Sequence, residues 1–169
     1  MREYVIEAFP EVQQIKDDKL REGTITCWAE AMTAGGWDKL DDIPFTLLIS
    51  DPSASLLEHT RRVTRQAIAV ANVRGDLDMD LVISGGLLHD VGKLLEYDRV
   101  DGKVVKSNYG NLVRHPVSGA GLAMKHGLPD EIVHIIAGHS KEGEMVKRIP
   151  EAILINHCDF IDFEIAKAK

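Results

Sequence analysis

The chain has 169 residues, 44% of them hydrophobic and 28% charged, which is enough for one compact domain with a real core and too little for two ordinary ones. That balance excludes global disorder. The formal net charge of -7 argues against a primarily electrostatic binder of long nucleic acid, which needs basic surface to displace phosphate counterions. The two cysteines, Cys27 and Cys158, form no C-x-x-C pair, so a zinc knuckle or a thioredoxin-like motif is excluded, and Cys158 reads as a small core residue. No signal peptide is visible, and apolar runs such as Ala152 to Ile155 fall far short of a membrane span. A soluble protein of the reducing cytoplasm is expected.

In chain order, Met1 to Phe9 carries Tyr4, Val5, Ala8 and Phe9 at helical spacings before Pro10 interrupts. Glu11 to Arg21 is a second helix candidate closed by Gly23, and Thr24 to Ala34 a third, ended by Gly35 and Gly36. Asp41 to Asp51 is a short apolar connector, ambiguous between helix and strand. Asp51-Pro52-Ser53 reads as a turn into the next helix, with Ser53 or Ser55 as its cap. Four strong helices are then expected: Ser55 to Val73, Asp78 to Leu95 with Asp78 as cap, Pro116 to His126, and Pro129 to His139. Between the second and third of these, Glu96 to Arg114 reads as a long loop with a small hairpin turning at Asp101-Gly102. A last helix runs from Pro150 to about Ala166. A boundary near residue 50 separates an N-terminal helical extension, residues 1–50, from a main domain, residues 51–169. The apolar positions of the extension would pack it on the core or form a dimer contact, and Trp28 and Trp37 read as core anchors.

Histidines and aspartates fall on the core-facing stripes of these helices. His59 shares a face with Val63 and Ala67, His89 follows Val82, Gly85 and Gly86, and Asp159 lines up with Ala152, Ile155 and Phe163. A carboxylate buried alone is costly, and its usual escape is pairing or metal coordination. On one helix, the adjacent His89 and Asp90 diverge by about 100° and could straddle a metal or bridge two. His115 before Pro116 and His139 at a helix end suit ligands that swing over a site. Singly, each has a plain structural reading: a hydrogen-bonded core histidine, a salt-bridged helix carboxylate, a neighbour of a helix cap. The ordered set His, His-Asp, His, His, Asp on successive helices points to a metal centre of mixed imidazole and carboxylate ligands. His126, His134 and His157 read as structural or surface residues.

The segment Gly85-Gly86-Leu87-Leu88-His89-Asp90-Val91-Gly92-Lys93 resembles the signature of the HD-domain metal-dependent phosphohydrolases. The resemblance extends to Glu58-His59-Thr60, Arg114-His115-Pro116, Ala137-Gly138-His139 and His157-Cys158-Asp159, and covers roughly residues 53 to 165. It is similar to the catalytic domains of ribonuclease Y and of HD-GYP proteins. It implies an all-α helical bundle and two divalent transition metal ions, drawn from Fe, Mn, Ni, Co or Zn. The resemblance assigns His59, His89, Asp90 and Asp159 to the first ion, Asp90 as the bridge, and His115 with His139 to the second. Lys93 matches the family's phosphate-contacting lysine; Arg114 is a further cation that could offset phosphate charge, whereas the loop cations Lys103 and Lys106 could do the same but read first as solvated surface. The implied activity is hydrolysis of a phosphoester in a nucleotide or related small phosphorylated metabolite by a hydroxide held between the ions. Three departures stand out. The Gly-Tyr-Pro element of HD-GYP enzymes is absent, Ser140 stands where many relatives carry a second histidine, and the RNA-binding module and membrane anchor of ribonuclease Y are not expected. The same ligand order also matches mixed-valent di-iron oxygenases of this fold, and a non-catalytic nucleotide-sensing module is a third reading.

Overall fold

The computed structural model describes residues 1–49 and 54–169, so the expected turn at Asp51-Pro52-Ser53 lies outside the described residues. The architecture is an all-α bundle with one two-stranded hairpin, and no described helix is long and apolar enough to cross a membrane.

The first helix, α1 (Arg2–Ala8), gives way at Pro10 to a 3-10 turn over Pro10–Gln14. The two helices expected next are a single one, α2 (Asp18–Gly35), capped by the Asp17 carboxylate on the Leu20 N–H at 2.7 Å. Gly23 lies inside it and does not break it. A Cβ at that position would run into the Leu128 side chain, so the glycine serves a close approach between packed elements. The described part of the connector after Leu40 forms turns and bends, with an isolated bridge from Pro44 to Ser55.

Helix α3 (Leu56–Arg74) starts at a capping box: Ser55 Oγ accepts the Glu58 N–H at 3.2 Å, and the Glu58 carboxylate accepts the Ser55 N–H at 2.9 Å. It stops at Gly75, whose φ of 72° is left-handed. Asp78 caps α4 (Met79–Leu88) as expected, but this helix does not run on to Leu95. After Leu88 the chain tightens into i to i−3 bonding, with Val91 N–H on Leu88 O, Lys93 N–H on Asp90 O and Leu94 N–H on Val91 O. A short α5 (Lys93–Glu96) follows. The hairpin is β1 (Tyr97–Val100) against β2 (Lys103–Lys106), turning at Asp101 and Gly102, both with positive φ. Within the expected loop lies one more turn of helix, α6 (Asn108–Leu112), capped by Ser107. The bundle closes with α7 (His115–Lys125), α8 (Asp130–Gly138) and α9 (Pro150–Lys167).

Helix α3 packs on α4 and α9, and α7 packs on α8. One hydrophobic cluster joins Phe9, Ile15, Trp28 and Trp37 to Leu87, Leu94, Ile136 and Ile155, so the first helices pack directly on the rest. Two buried indoles fix the stretch that follows α4: Trp28 Nε1 donates to Leu87 O at 3.0 Å, and Trp37 Nε1 to Leu94 O at 2.8 Å. They brace, from behind, the turn that carries His89 and Asp90.

Candidate metal centre

Five helices bring His59, His89, Asp90, His115, His139 and Asp159 together. His59 stands in the first turn of α3, His89 and Asp90 follow the end of α4, and His115 begins α7. His139 caps the end of α8, and Asp159 sits midway along α9. The tight turn after Leu88 changes the expectation for the adjacent pair: His89 and Asp90 are not consecutive residues of a regular helix, and both reach the same cluster. The four histidines and Asp90 are all buried, while Asp159 is partly exposed.

Asp90 lies between two groups of donors. Its Oδ2 is 3.3 Å from His59 Nε2 and 3.4 Å from His89 Nε2, and its Oδ1 is 3.3 Å from His115 Nε2 and 3.6 Å from His139 Nε2. Asp159 Oδ1 is 3.2 Å from His59 Nε2. The ligating atoms of His59, His89 and Asp159 lie within 4.8 Å of one another, as do those of Asp90, His115 and His139.

The backs of the rings decide what the fronts can do. Each Nδ1 meets an acceptor at 2.7 Å: Asp162 Oδ2 for His59, Gly86 O for His89, Glu96 Oε2 for His115 and Ile136 O for His139. A neutral imidazole held this way carries its proton on Nδ1 and turns the Nε2 lone pair inward. His59 Nε2 and His89 Nε2 then face each other at 3.4 Å, and the buried His139 Nε2 has no hydrogen-bond partner among the described residues. Converging lone pairs of this kind are satisfied by a cation, and imidazole with carboxylate is the donor set of divalent first-row metals. The residues therefore fit the metals that the ligand pattern implies.

Without an ion, the surrounding carboxylates hold a proton on His59 that a bound cation would displace. Burial opposes a charge on His59, but hydrogen bonds with Asp159, Asp162 and Asp90 outweigh it and push the pKa up to about 10. Burial pushes His115 down to about 4, against the pull of Glu96. Burial likewise works against ionised Asp159, yet its bond with His59 brings it down to about 2. Asp90 is fully enclosed, and Lys93 with the surrounding imidazoles holds its carboxyl well below the usual carboxylate range.

The Lys93 ammonium is buried and donates to Asp90 Oδ2 and to Phe45 O, each at 2.5 Å. The Phe45 ring also stacks on His59, with centroids 4.6 Å apart, so the ambiguous connector contributes both a ring and a carbonyl to the centre. Arg114 is half exposed and faces carboxylates, with Nε 3.8 Å from Glu96 and 3.3 Å from Glu142. Lys106 Nζ lies 3.6 Å from Glu96, whereas Lys103 is exposed beside the hairpin turn. His126 pairs with Glu30, His134 accepts the Ile149 N–H, and His157 is exposed, so all three lie outside the cluster.

Sequence reasoning missed Asp162, Glu96 and Phe45. Asp162 had a readable signal, a carboxylate three residues after Asp159 on the apolar face of α9. Glu96 had none, because it reaches His115 only through the fold of the hairpin region.

The HD domain matches residues 56–163. Ribonuclease Y of Pseudothermotoga lettingae is 34% identical over 105 residues, 62% of this chain and 18% of that protein. Ribonuclease Y of Rhodopirellula baltica is 33% identical over 107 residues, 63% of this chain and 18% of that protein. A tRNA (cytidine(56)-2'-O)-methyltransferase of Thermoplasma volcanium is 31% identical over 88 residues, 52% of this chain and 22% of that protein. The chain thus matches less than a quarter of the length of each of these curated relatives. No solved structure matches the chain significantly. Ligand geometry and sequence match coincide over the same stretch, and the chain belongs to the HD-domain family.

Proposed function

We propose that the protein is a metal-dependent phosphohydrolase that cleaves a phosphoester of a nucleotide or related phosphorylated metabolite, using two divalent transition metal ions. The observation that carries this reading is the position of Asp90, with one carboxylate oxygen toward His59 and His89 and the other toward His115 and His139. Ions held by His59, His89, Asp90 and Asp159 on one side and by Asp90, His115 and His139 on the other would polarise a phosphoryl oxygen and lower the pKa of water from about 15.7 towards about 7.

The chain's own groups do the rest. Asp90 would offer one carboxylate oxygen to each side. Lys93 keeps Asp90 ionised and oriented, and of its three N–H bonds two are engaged by Asp90 and Phe45, leaving one for a phosphate oxygen. Arg114, half exposed beside His115, is positioned to pair with substrate phosphate in exchange for Glu142. The net charge of -7 favours a small phosphorylated substrate over a long polyanion.

The test is metal analysis of protein purified without chelator, coupled to a hydrolysis screen of nucleotides, phosphomonoesters and a short RNA. The RNA is included because the relatives' names concern RNA. Two ions per chain and phosphate-ester hydrolysis abolished in H89A and D90A are expected. Activity that survives both substitutions refutes the reading, and a mixed-valent iron signal in electron paramagnetic resonance with oxygen consumption would replace it by oxygenase chemistry.

A further inference from the structure

We infer that Asp162 and Glu96 are the positioning residues of the two halves of the centre, each governing retention of one ion by orienting one histidine. The inference rests on the two-ion reading and extends it to side chains that touch neither ion.

The argument starts from helix polarity. The last four carbonyls of a helix lack partners within it, and the first four N–H groups likewise. His89 and His139 both stand at helix C-terminal caps, and each ring N–H reaches a carbonyl three residues back in the last turn, Gly86 O and Ile136 O. At those two positions the helix end itself orients the ligand. His59 and His115 stand at helix starts, in the first turn of α3 and at the first residue of α7. The free backbone groups there are donors, which a ring N–H cannot use. These two histidines need an acceptor from elsewhere.

The fold supplies one to each. Asp162 comes from α9 to His59, and Glu96 comes from α5 to His115, each at 2.7 Å. Both carboxylates are buried. Each is held in turn by cations. Arg62 grips Asp162 through Nε on Oδ1 at 2.7 Å and Nη2 on Oδ2 at 3.0 Å. Glu96 accepts the His115 backbone N–H at 2.7 Å, while Lys106 and Arg114 face its other oxygen. Each group of donors thus holds one histidine set by a helix end and one set by an imported carboxylate. A carboxylate behind an imidazole fixes its tautomer and raises its basicity, and removing such a partner typically weakens metal binding about 10–100-fold.

The test is Co(II) titration of the metal-free 169-residue chain, followed by absorption and by competition with a chelator, for wild type, D162N and E96Q. Asparagine and glutamine keep the size and an acceptor oxygen but remove the charge. D162N is expected to weaken one Co(II) site about 10–100-fold and the other less than about threefold, with E96Q doing the converse. In an H89A background, D162N should then add little while E96Q still weakens the remaining site about 10–100-fold. R62Q, which leaves Asp162 in place but unclamped, should weaken the same site as D162N, less severely, and keeps the question open to test should D162N fold poorly. If Asp162 and Glu96 serve only to tie helices together, urea midpoints of the metal-free variants fall while both Co(II) affinities stay within about threefold of wild type, and the inference is overturned. Loss of both ions together in each single variant also overturns it. Wild-type protein that binds only one Co(II) per chain refutes the two-ion reading itself, an outcome distinct from either.

Discussion

Gly92 offers the sharpest test of how the packing holds the centre. Its φ of -66° is ordinary for any residue, so the glycine is not needed for backbone freedom. Space is what it provides. A Cβ at this position would lie 2.6 Å from Ser118 Oγ, 2.7 Å from Gly119 N and closer still to the His115 carbonyl oxygen, where real Cβ atoms essentially never come within 3.0 Å. The obstacles are mostly the backbone of α7, which cannot rotate away as a side chain can. In Gly92→Ala the start of α7 must retreat by roughly 1 Å, and overpacking of this kind costs about 1–3 kcal/mol. His115 begins α7, so its Nε2 moves with the backbone, and metal–ligand distances tolerate only about 0.2 Å. Urea unfolding should show a lower midpoint with an unchanged slope, and metal analysis should show loss of the ion bound through His115 and His139 ahead of the other. A variant with wild-type midpoint and wild-type metal content would refute the claim that Gly92 sets the distance between the two elements.

Trp37→Phe removes the N–H that satisfies Leu94 O at 2.8 Å in a buried setting, and a loss of about 1–3 kcal/mol in urea unfolding is expected, with an unchanged midpoint as the contrary result. Ser55→Ala removes one half of the capping box and should cost about 1 kcal/mol while leaving metal content intact; loss of metal would mean that the box positions His59 directly. Burial pushes the Cys27 thiol up to about 12 and the Cys158 thiol up to about 11, so neither should react with iodoacetamide in the native protein at pH 8. Because the folded values lie above the unfolded one of about 8.5, stability from these thiols is present below that pH and drains away as pH rises towards 12; rapid native-state alkylation would contradict their burial. Metal at 100 times its dissociation constant should stabilise by about 2.7 kcal/mol per site and raise Tm by roughly 5–10 °C over protein treated with chelator, a shift that thermal unfolding would show or exclude.

What could be read ahead of the structure follows a physical division. The convergence of these side chains was legible because His59, His89 and Asp159 occupy apolar stripes where an unpartnered polar group would be too costly to keep. Caps were legible for a similar reason: Asp78, Pro116 and Pro150 act on the backbone within a turn of themselves, and the hairpin at Asp101-Gly102 needed only two residues able to take positive φ. Gly23 misled because a glycine inside a helix looks the same whether it ends the helix or admits a neighbour, and Leu128 is more than a hundred residues away. The break after Leu88 was hidden for the opposite reason. His89 to Gly92 continue the helical hydrophobic pattern, and the close approach of α7 to Gly92 and the indole bonds to Leu87 and Leu94 that accompany the turn come from distant parts of the chain. Asp162 and Glu96 lie deeper still, since their partners are set by tertiary structure alone.

That break also gives Asp90 its two-sided position. Had α4 continued, residues 89 and 90 would have pointed about 100° apart. In the i to i−3 turn, Lys93 N–H bonds Asp90 O while Lys93 Nζ reaches Asp90 Oδ2, so one lysine closes both the backbone turn and the carboxylate. Its second bond, to Phe45 O, ties that turn to the connector whose ring covers His59. The His-Asp-x-Gly-Lys segment is therefore a single mechanical unit. The histidine leaves by the helix end, the aspartate faces both groups of donors, the glycine admits α7 with His115, and the lysine locks the aspartate against the opposite wall. Its spacing follows from the turn that has to form, and an insertion of one residue within it would displace the carboxylate from both groups of donors at once.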